Sequence, residues 1–165
     1  MASYLIALCK FRIFALAIWV LIALGTIRNA SAAEPMRRFI AADSSKNRVA
    51  IIDENGKTAW EHEIGQLHDL HVLPGGTVLL QSSWTEVVEI NPANNELVWH
   101  YDAMKRPVNF GKRLEIHAFQ RLANGQTMVA ESGPGIIIEL DKDLNVVQSM
   151  ALKISKPDAH RDTRL

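Results

Sequence analysis

His68-Asp69-Leu70-His71-Val72-Leu73, His117-Ala118-Phe119-Gln120-Arg121-Leu122 and His160-Arg161-Asp162-Thr163-Arg164-Leu165 share one beat, a histidine followed five residues later by a leucine. In the first two the beat continues to a glycine three residues past the leucine, Gly76 and Gly125. The second stretch begins 49 residues after the first and the third 43 after the second, a spacing that marks a structural repeat. The third stretch stops at its leucine, Leu165. The chain therefore reads as a truncated piece of a longer repeat array.

Between the histidine stretches lies a second module. Arg48–Asp53 alternates as a strand, Glu54-Asn55-Gly56-Lys57 is a turn, and Thr58–Ile64 alternates again. Asn-Gly predicts a type I′ hairpin, which needs positive φ at two positions. The module returns as Glu86–Asn91, a Pro-Ala-Asn-Asn turn and Glu96–Tyr101, and once more as Gly135–Asp141, Lys142-Asp143 and Leu144–Met150. The histidine stretches form hairpins of their own: His68–Leu73 with Thr77–Gln81, and His117–Leu122 with Gln126–Glu131. No amphipathic helix of useful length follows residue 33. Four short strands in about 40–50 residues is the content of one β-propeller blade. A β-sandwich would explain the strands, but not a period that repeats histidine, leucine, glycine and Asp/Asn in order. The expected fold is all-β: about three four-stranded antiparallel blades, the last incomplete, forming an open ring.

The amino terminus reads differently. Residues 1–32 contain no Asp or Glu, carry Lys10 and Arg12, run apolar from Ile13 to Leu24, and end on Ala30-Ser31-Ala32. This is the pattern of a secretory signal peptide, and twelve apolar residues are short of the roughly twenty that span a bilayer. The expected organisation is signal peptide 1–32, with a helix over about 4–28, followed by a partial propeller domain 33–165 exported to the periplasm or beyond the cell. Membrane contact is expected only through an uncleaved Tyr4–Leu24 segment.

Beyond residue 32 the balance is 15 basic against 18 acidic residues, a charge that argues against nucleic acid as a partner. The only cysteine, Cys9, lies in the targeting segment, so the exported part has neither disulfide nor thiol nucleophile. Stability must come from burial.

Ile52-Asp53…Gly56-Lys57…Trp60 and Ile90-Asn91…Leu97-Val98-Trp99 resemble the repeats of quinoprotein-type (pyrroloquinoline-quinone-like) propellers, in which an Asp or Asn closes a strand and a tryptophan docks blade on blade. The histidine hairpins, such as His117…Leu122-Ala123-Asn124-Gly125-Gln126-Thr127, look more like arylsulfotransferase-like propeller repeats. Val147-Gln148 departs from the pattern where a tryptophan is expected. The second resemblance implies a histidine that accepts a sulfuryl group, helped by other histidines and an arginine. Carried over, that role falls on His68, His117 and His160, with Arg121 or Arg161 as the cation.

Equivalent strand starts gather at the rim of a propeller's channel, so the three histidines can hold strands together, bind a ligand or supply a base. A small molecule, glycan or protein at that rim is the expected partner. His68 and His71, three apart on one strand, face opposite ways and do not converge on a metal. Glu115, two before His117, shares its face; Asp69 and Asp162 lie near the other two histidines. Trp60, Trp99 and Trp84 read as packing, and Trp84, beside Ser82 and Ser83, has a second reading as an aromatic platform. No cofactor is expected: there is no Cys-x-x-Cys-His haem site, no vicinal cysteine pair, and no strand–loop–helix setting around Gly133-Pro134-Gly135 for a phosphate. Two functions follow: a binding or scaffold module, or a histidine-dependent arylsulfotransferase-like or quinoprotein-like enzyme.

Overall fold

The structure, a computed structural model, describes residues 36–153; the expected signal peptide, His160 and Arg161 lie outside the described residues. Eleven antiparallel strands follow one another among them: β1 (Phe39–Asp43), β2 (Arg48–Ile52), β3 (Thr58–Glu63), β4 (Leu70–Val72), β5 (Val78–Ser83), β6 (Glu86–Asn91), β7 (Glu96–Asp102), β8 (Glu115–Arg121), β9 (Thr127–Ser132), β10 (Ile136–Leu140) and β11 (Val146–Ala151). They form three sheets in sequence order, β1-β2-β3, β4-β5-β6-β7 and β8-β9-β10-β11. β4, which starts two residues after His68, and β8, which carries His117 as its third residue, are one edge of their sheets, and the tryptophan strands β3 and β7 are the opposite edge.

Among the described residues the first sheet has three strands and the other two have four, while the expected incomplete last blade, beginning at His160, lies outside them. The Asp53 hairpin of the first sheet matches the Asn91 and Asp141 hairpins, so β1–β3 hold the places of the second to fourth strands. Among the described residues no strand precedes β1.

The turns explain why the same residues recur. Asp53 Oδ1 accepts from the Asn55 and Lys57 amides at 2.8 Å each, and Asp141 Oδ1 accepts from those of Asp143 and Asn145 at 2.9 Å each. Asn91 Oδ1 accepts from the Ala93 amide at 3.0 Å. A short side-chain acceptor that folds onto the amides just ahead is what Asp and Asn supply to a turn. The Asn55-Gly56 turn is not the expected type I′. Only Gly56 has positive φ, +75°, and the Gly56 amide donates to Asp53 O at 3.0 Å, so one left-handed residue closes a longer loop. A register shift falls at the same point of all three hairpins: Ile51/Ile52, Glu89/Ile90 and Glu139/Leu140. The histidine hairpins close alike, with Gly76 and Gly125 at φ +83° and +85° donating to Leu73 O and Leu122 O.

Packing follows the period of two. Val78, Leu80, Val88 and Ile90 of the middle sheet are buried against Val49, Ile51, Trp60 and Ile64 of the first. Leu79, Val87, Trp99 and Tyr101, on its other face, are buried against Leu114, Ile116, Phe119 and Ile138 of the third. A sheet covered on both faces by its neighbours is a blade in a stack. Trp60 also donates its indole N–H to Asn95 Oδ1 of the middle sheet at 2.7 Å. Gln148, pairing with Glu139 as Trp99 pairs with Glu89, stands where the tryptophan is missing, and β11 is exposed throughout.

Candidate ligand site at the histidine strand starts

β4 and β8 begin beside one another. The His68 and His117 ring centroids are 4.5 Å apart and tilted by 36°, and the Trp84 indole lies 5.1 Å from His68. Three rings from two sheets thus form one cluster. Trp84 keeps 39% of its surface exposed and His68 is exposed, whereas the His117 side chain is only 6% exposed. A carboxylate stands behind it: Glu115 Oε2 lies 3.1 Å from His117 Nε2 and Glu115 Oε1 lies 3.7 Å from Arg113 Nη2.

A buried amide ties the two strand starts together. Gln81, on β5, accepts from the His68 backbone N–H at 2.7 Å and donates from Nε2 to Ile116 O at 2.9 Å. It therefore joins the residue that carries one histidine to the residue before the other. The Ile116 amide in turn donates to Trp84 O at 2.8 Å, which fixes the indole against the same strand start. Backbone and buried side chain, rather than flexible loops, hold all three rings.

The other predicted residues are placed elsewhere. Arg121 sits four residues from His117, about 13 Å along a strand at roughly 3.3 Å per residue. Its Nη2 donates to Glu89 at 2.6 Å, its Nη1 to Gly125 O at 3.2 Å, and its guanidinium lies 5.2 Å from the Trp99 ring. It fastens the middle sheet to the third and does not join the histidines. Asp69 pairs with His71 at 2.9 Å, and the His71 ring meets Phe119 edge-on. Among the described residues no group of three or more His, Cys, Asp or Glu is arranged to hold a metal ion.

One charged cluster was not legible in the sequence. Glu131, fully buried, accepts from Tyr101 Oη, from Arg106 Nη1 at 2.7 Å and from Asn109 Nδ2 at 3.1 Å. Arg106 and Asn109 come from the link between the middle and third sheets, which makes two short 3-10 turns, Ala103–Lys105 and Pro107–Asn109. Burial would lower the affinity of Arg106 for its proton, but the hydrogen bond and charge of Glu131 outweigh it. Burial, then the hydrogen bond to Glu131, push the Tyr101 phenol above its ordinary value of 10.0. An unfolded tyrosine loses its proton near that value while the folded one keeps it. This contribution is complete below about pH 10 and falls as pH rises beyond it. Melting temperature should drop faster between about pH 9.5 and 11 than in Tyr101→Phe, whose melting profile over that range should be flatter.

No family model matches the chain, and no curated protein does. Solved structures do. The chain is similar to dihydro-heme d1 dehydrogenase NirN (22% identity, TM-score 0.54, covering 72% of this chain and 25% of that one). It is similar to the Cps50 (Swd1) β-propeller domain of Myceliophteria thermophila (16%, TM-score 0.56, 68% and 37%) and to virginiamycin B lyase of Staphylococcus aureus (14%, TM-score 0.52, 70% and 38%). The chain thus spans well under half of each of these structures. With three stacked antiparallel sheets that do not close a ring, the described residues are blades of a β-propeller repeat protein.

Proposed function

We propose that this chain is an exported propeller module, built on quinoprotein-type or arylsulfotransferase-like repeats, that binds a ring-bearing small molecule or glycan between its blades. The observation that carries the reading is the His68–Trp84–His117 cluster held by Gln81. A half-exposed indole offers an apolar face on which a sugar or aryl ring stacks, with the exposed His68 ring beside it. Export is supported by the composition of residues 1–32. The structural neighbours support the scaffold and are silent on the ligand.

Phenyl sulfate and maltotetraose, titrated separately into the 15N-labelled protein, are the probes. At least one should shift the Trp84 indole and the His68 and His117 imidazole signals. Trp84→Ala should weaken that binding about tenfold, equivalent to about 1.4 kcal/mol. No phenol should be released. Failure of both probes to move Trp84 would overturn the reading, and phenol release abolished by His117→Ala would replace it with the enzymatic one.

A further inference from the structure

The link between β7 and β8 is held from within and presents apolar side chains outward. Asp102 Oδ1 accepts from the Met104 amide at 2.9 Å, and the Ala103 amide donates to Thr85 O at 3.0 Å. The Asn109, Phe110 and Lys112 amides donate to Arg106 O, Pro107 O and Asn109 O at 2.9, 3.2 and 3.0 Å, so the link runs through successive tight turns. Asn109 is buried, with Nδ2 donating to Ala103 O and Glu131. Its two neighbours are turned out: Val108 is 57% exposed and Phe110 64%, the most exposed large apolar side chain among the described residues. The Ile116 amide, past the far end of the link, donates to Trp84 O at 2.8 Å. The link therefore leaves and rejoins the sheets at the end that carries the ring cluster.

The same segment is basic, although beyond residue 32 the chain carries 15 basic against 18 acidic residues. Between Asp102 and Glu115 lie Lys105, Arg106, Lys112 and Arg113 and no acidic residue. Arg106 is paired with the buried Glu131. Lys105 and Lys112 have no ion pair among the described residues. Arg113, its side chain 75% exposed, approaches Glu115 only to 3.7 Å. Three outward cations thus flank two outward apolar side chains.

We propose that the 103–113 link docks on an anionic phospholipid surface. Val108 and Phe110 enter the boundary between headgroups and acyl chains, and Lys105, Lys112 and Arg113 lie against the phosphates. Apolar side chains set among cations are the pattern by which a peripheral protein lies on such a surface. A protein partner fits less well, because a stable interface takes about 20–30 residues a side and this patch offers two apolar ones. The contact is distinct from the Tyr4–Leu24 segment, whose apolar run needs no lipid charge to enter a bilayer. It is also independent of the ligand read for the ring cluster.

The test uses the full chain with Cys9→Ser and one new cysteine carrying an environment-sensitive fluorophore. At Val108→Cys, vesicles of phosphatidylglycerol and phosphatidylcholine in equal parts should raise the emission and shift it to the blue, and phosphatidylcholine alone should not. A probe at Asn124→Cys, in the exposed turn at the other end of β8, should stay unchanged. Lys105→Gln, Lys112→Gln and Arg113→Gln together should raise the lipid concentration for half response about a hundredfold, roughly fivefold for each cation. Phe110→Ser should raise it about tenfold. Thermal melts of these variants should match the parent, because all four side chains are exposed. A response equal on neutral vesicles, equal at Asn124, unchanged by the triple substitution or absent altogether would overturn the proposal. So would shielding of Val108 that grows with protein concentration without lipid, which would mark a second copy as the occupant.

Discussion

Arg106→Ala is expected to lower the unfolding free energy by about 3–5 kcal/mol, because it leaves the carboxylate of Glu131 buried without its counter-charge. The remaining partners, Tyr101 Oη and Asn109 Nδ2, can hydrogen-bond that carboxylate but cannot neutralise it. The double variant Arg106→Met with Glu131→Leu should recover most of the loss, since removing both charges removes the desolvation cost together with the attraction. Urea denaturation of the single and double variants checks this. A loss below about 1 kcal/mol for Arg106→Ala, the range of an exposed ion pair, would show that water reaches Glu131. The same link carries Asn109 Nδ2 to Ala103 O at 2.9 Å, so weakening it should loosen the 103–112 segment before the sheets separate.

Gln81→Ala is the second large effect. It strands the buried Ile116 carbonyl, at about 1–3 kcal/mol, and removes the acceptor of the His68 amide, which water can replace because His68 is exposed. The functional loss should exceed the stability loss. With the clamp gone, one tie between the His68 and Ile116 backbones is lost, and the cross-ring proton contacts of His68 and His117 should weaken in NMR spectra while the strand signals of β5 and β6 persist. Gln81→Glu separates the two roles. It keeps an acceptor for the His68 amide and sets a second acceptor against Ile116 O, so it should displace β8 while β4 stays in place. Ring contacts unchanged in both variants would show that blade packing alone positions the histidines.

How much of this was legible in the sequence depended on how far each feature reaches along the chain. The hairpins were legible because their causes are local: Asp53, Asn91 and Asp141 bond amides two to four residues ahead, and Gly76 and Gly125 adopt the one conformation their turns need. Glu115 beside His117 was legible for the same reason, since two residues on a strand share a face. Arg121 was not. Strand spacing sets it about 13 Å from His117, and only the neighbouring blade, with Glu89 and Trp99, decides where its side chain goes.

Glu131 shows the limit most clearly. On the sequence it is a polar residue near the end of a strand, where solvent is the ordinary expectation. Its burial comes from Tyr101, Arg106 and Asn109, which lie 30, 25 and 22 residues earlier and reach it only when the link folds back over the blade junction. The sequence by itself determined the order of the strands from Arg48 onward, the places of their turns and the alternation that buries both faces of the middle sheet, because these follow from backbone periodicity and short-range hydrogen bonds, whereas β1 and the geometry of the Asn55-Gly56 turn came only from the structure. Which histidines meet, which amide holds them, and which carboxylate is left without water were decided only by tertiary structure, because those depend on how one blade packs against the next.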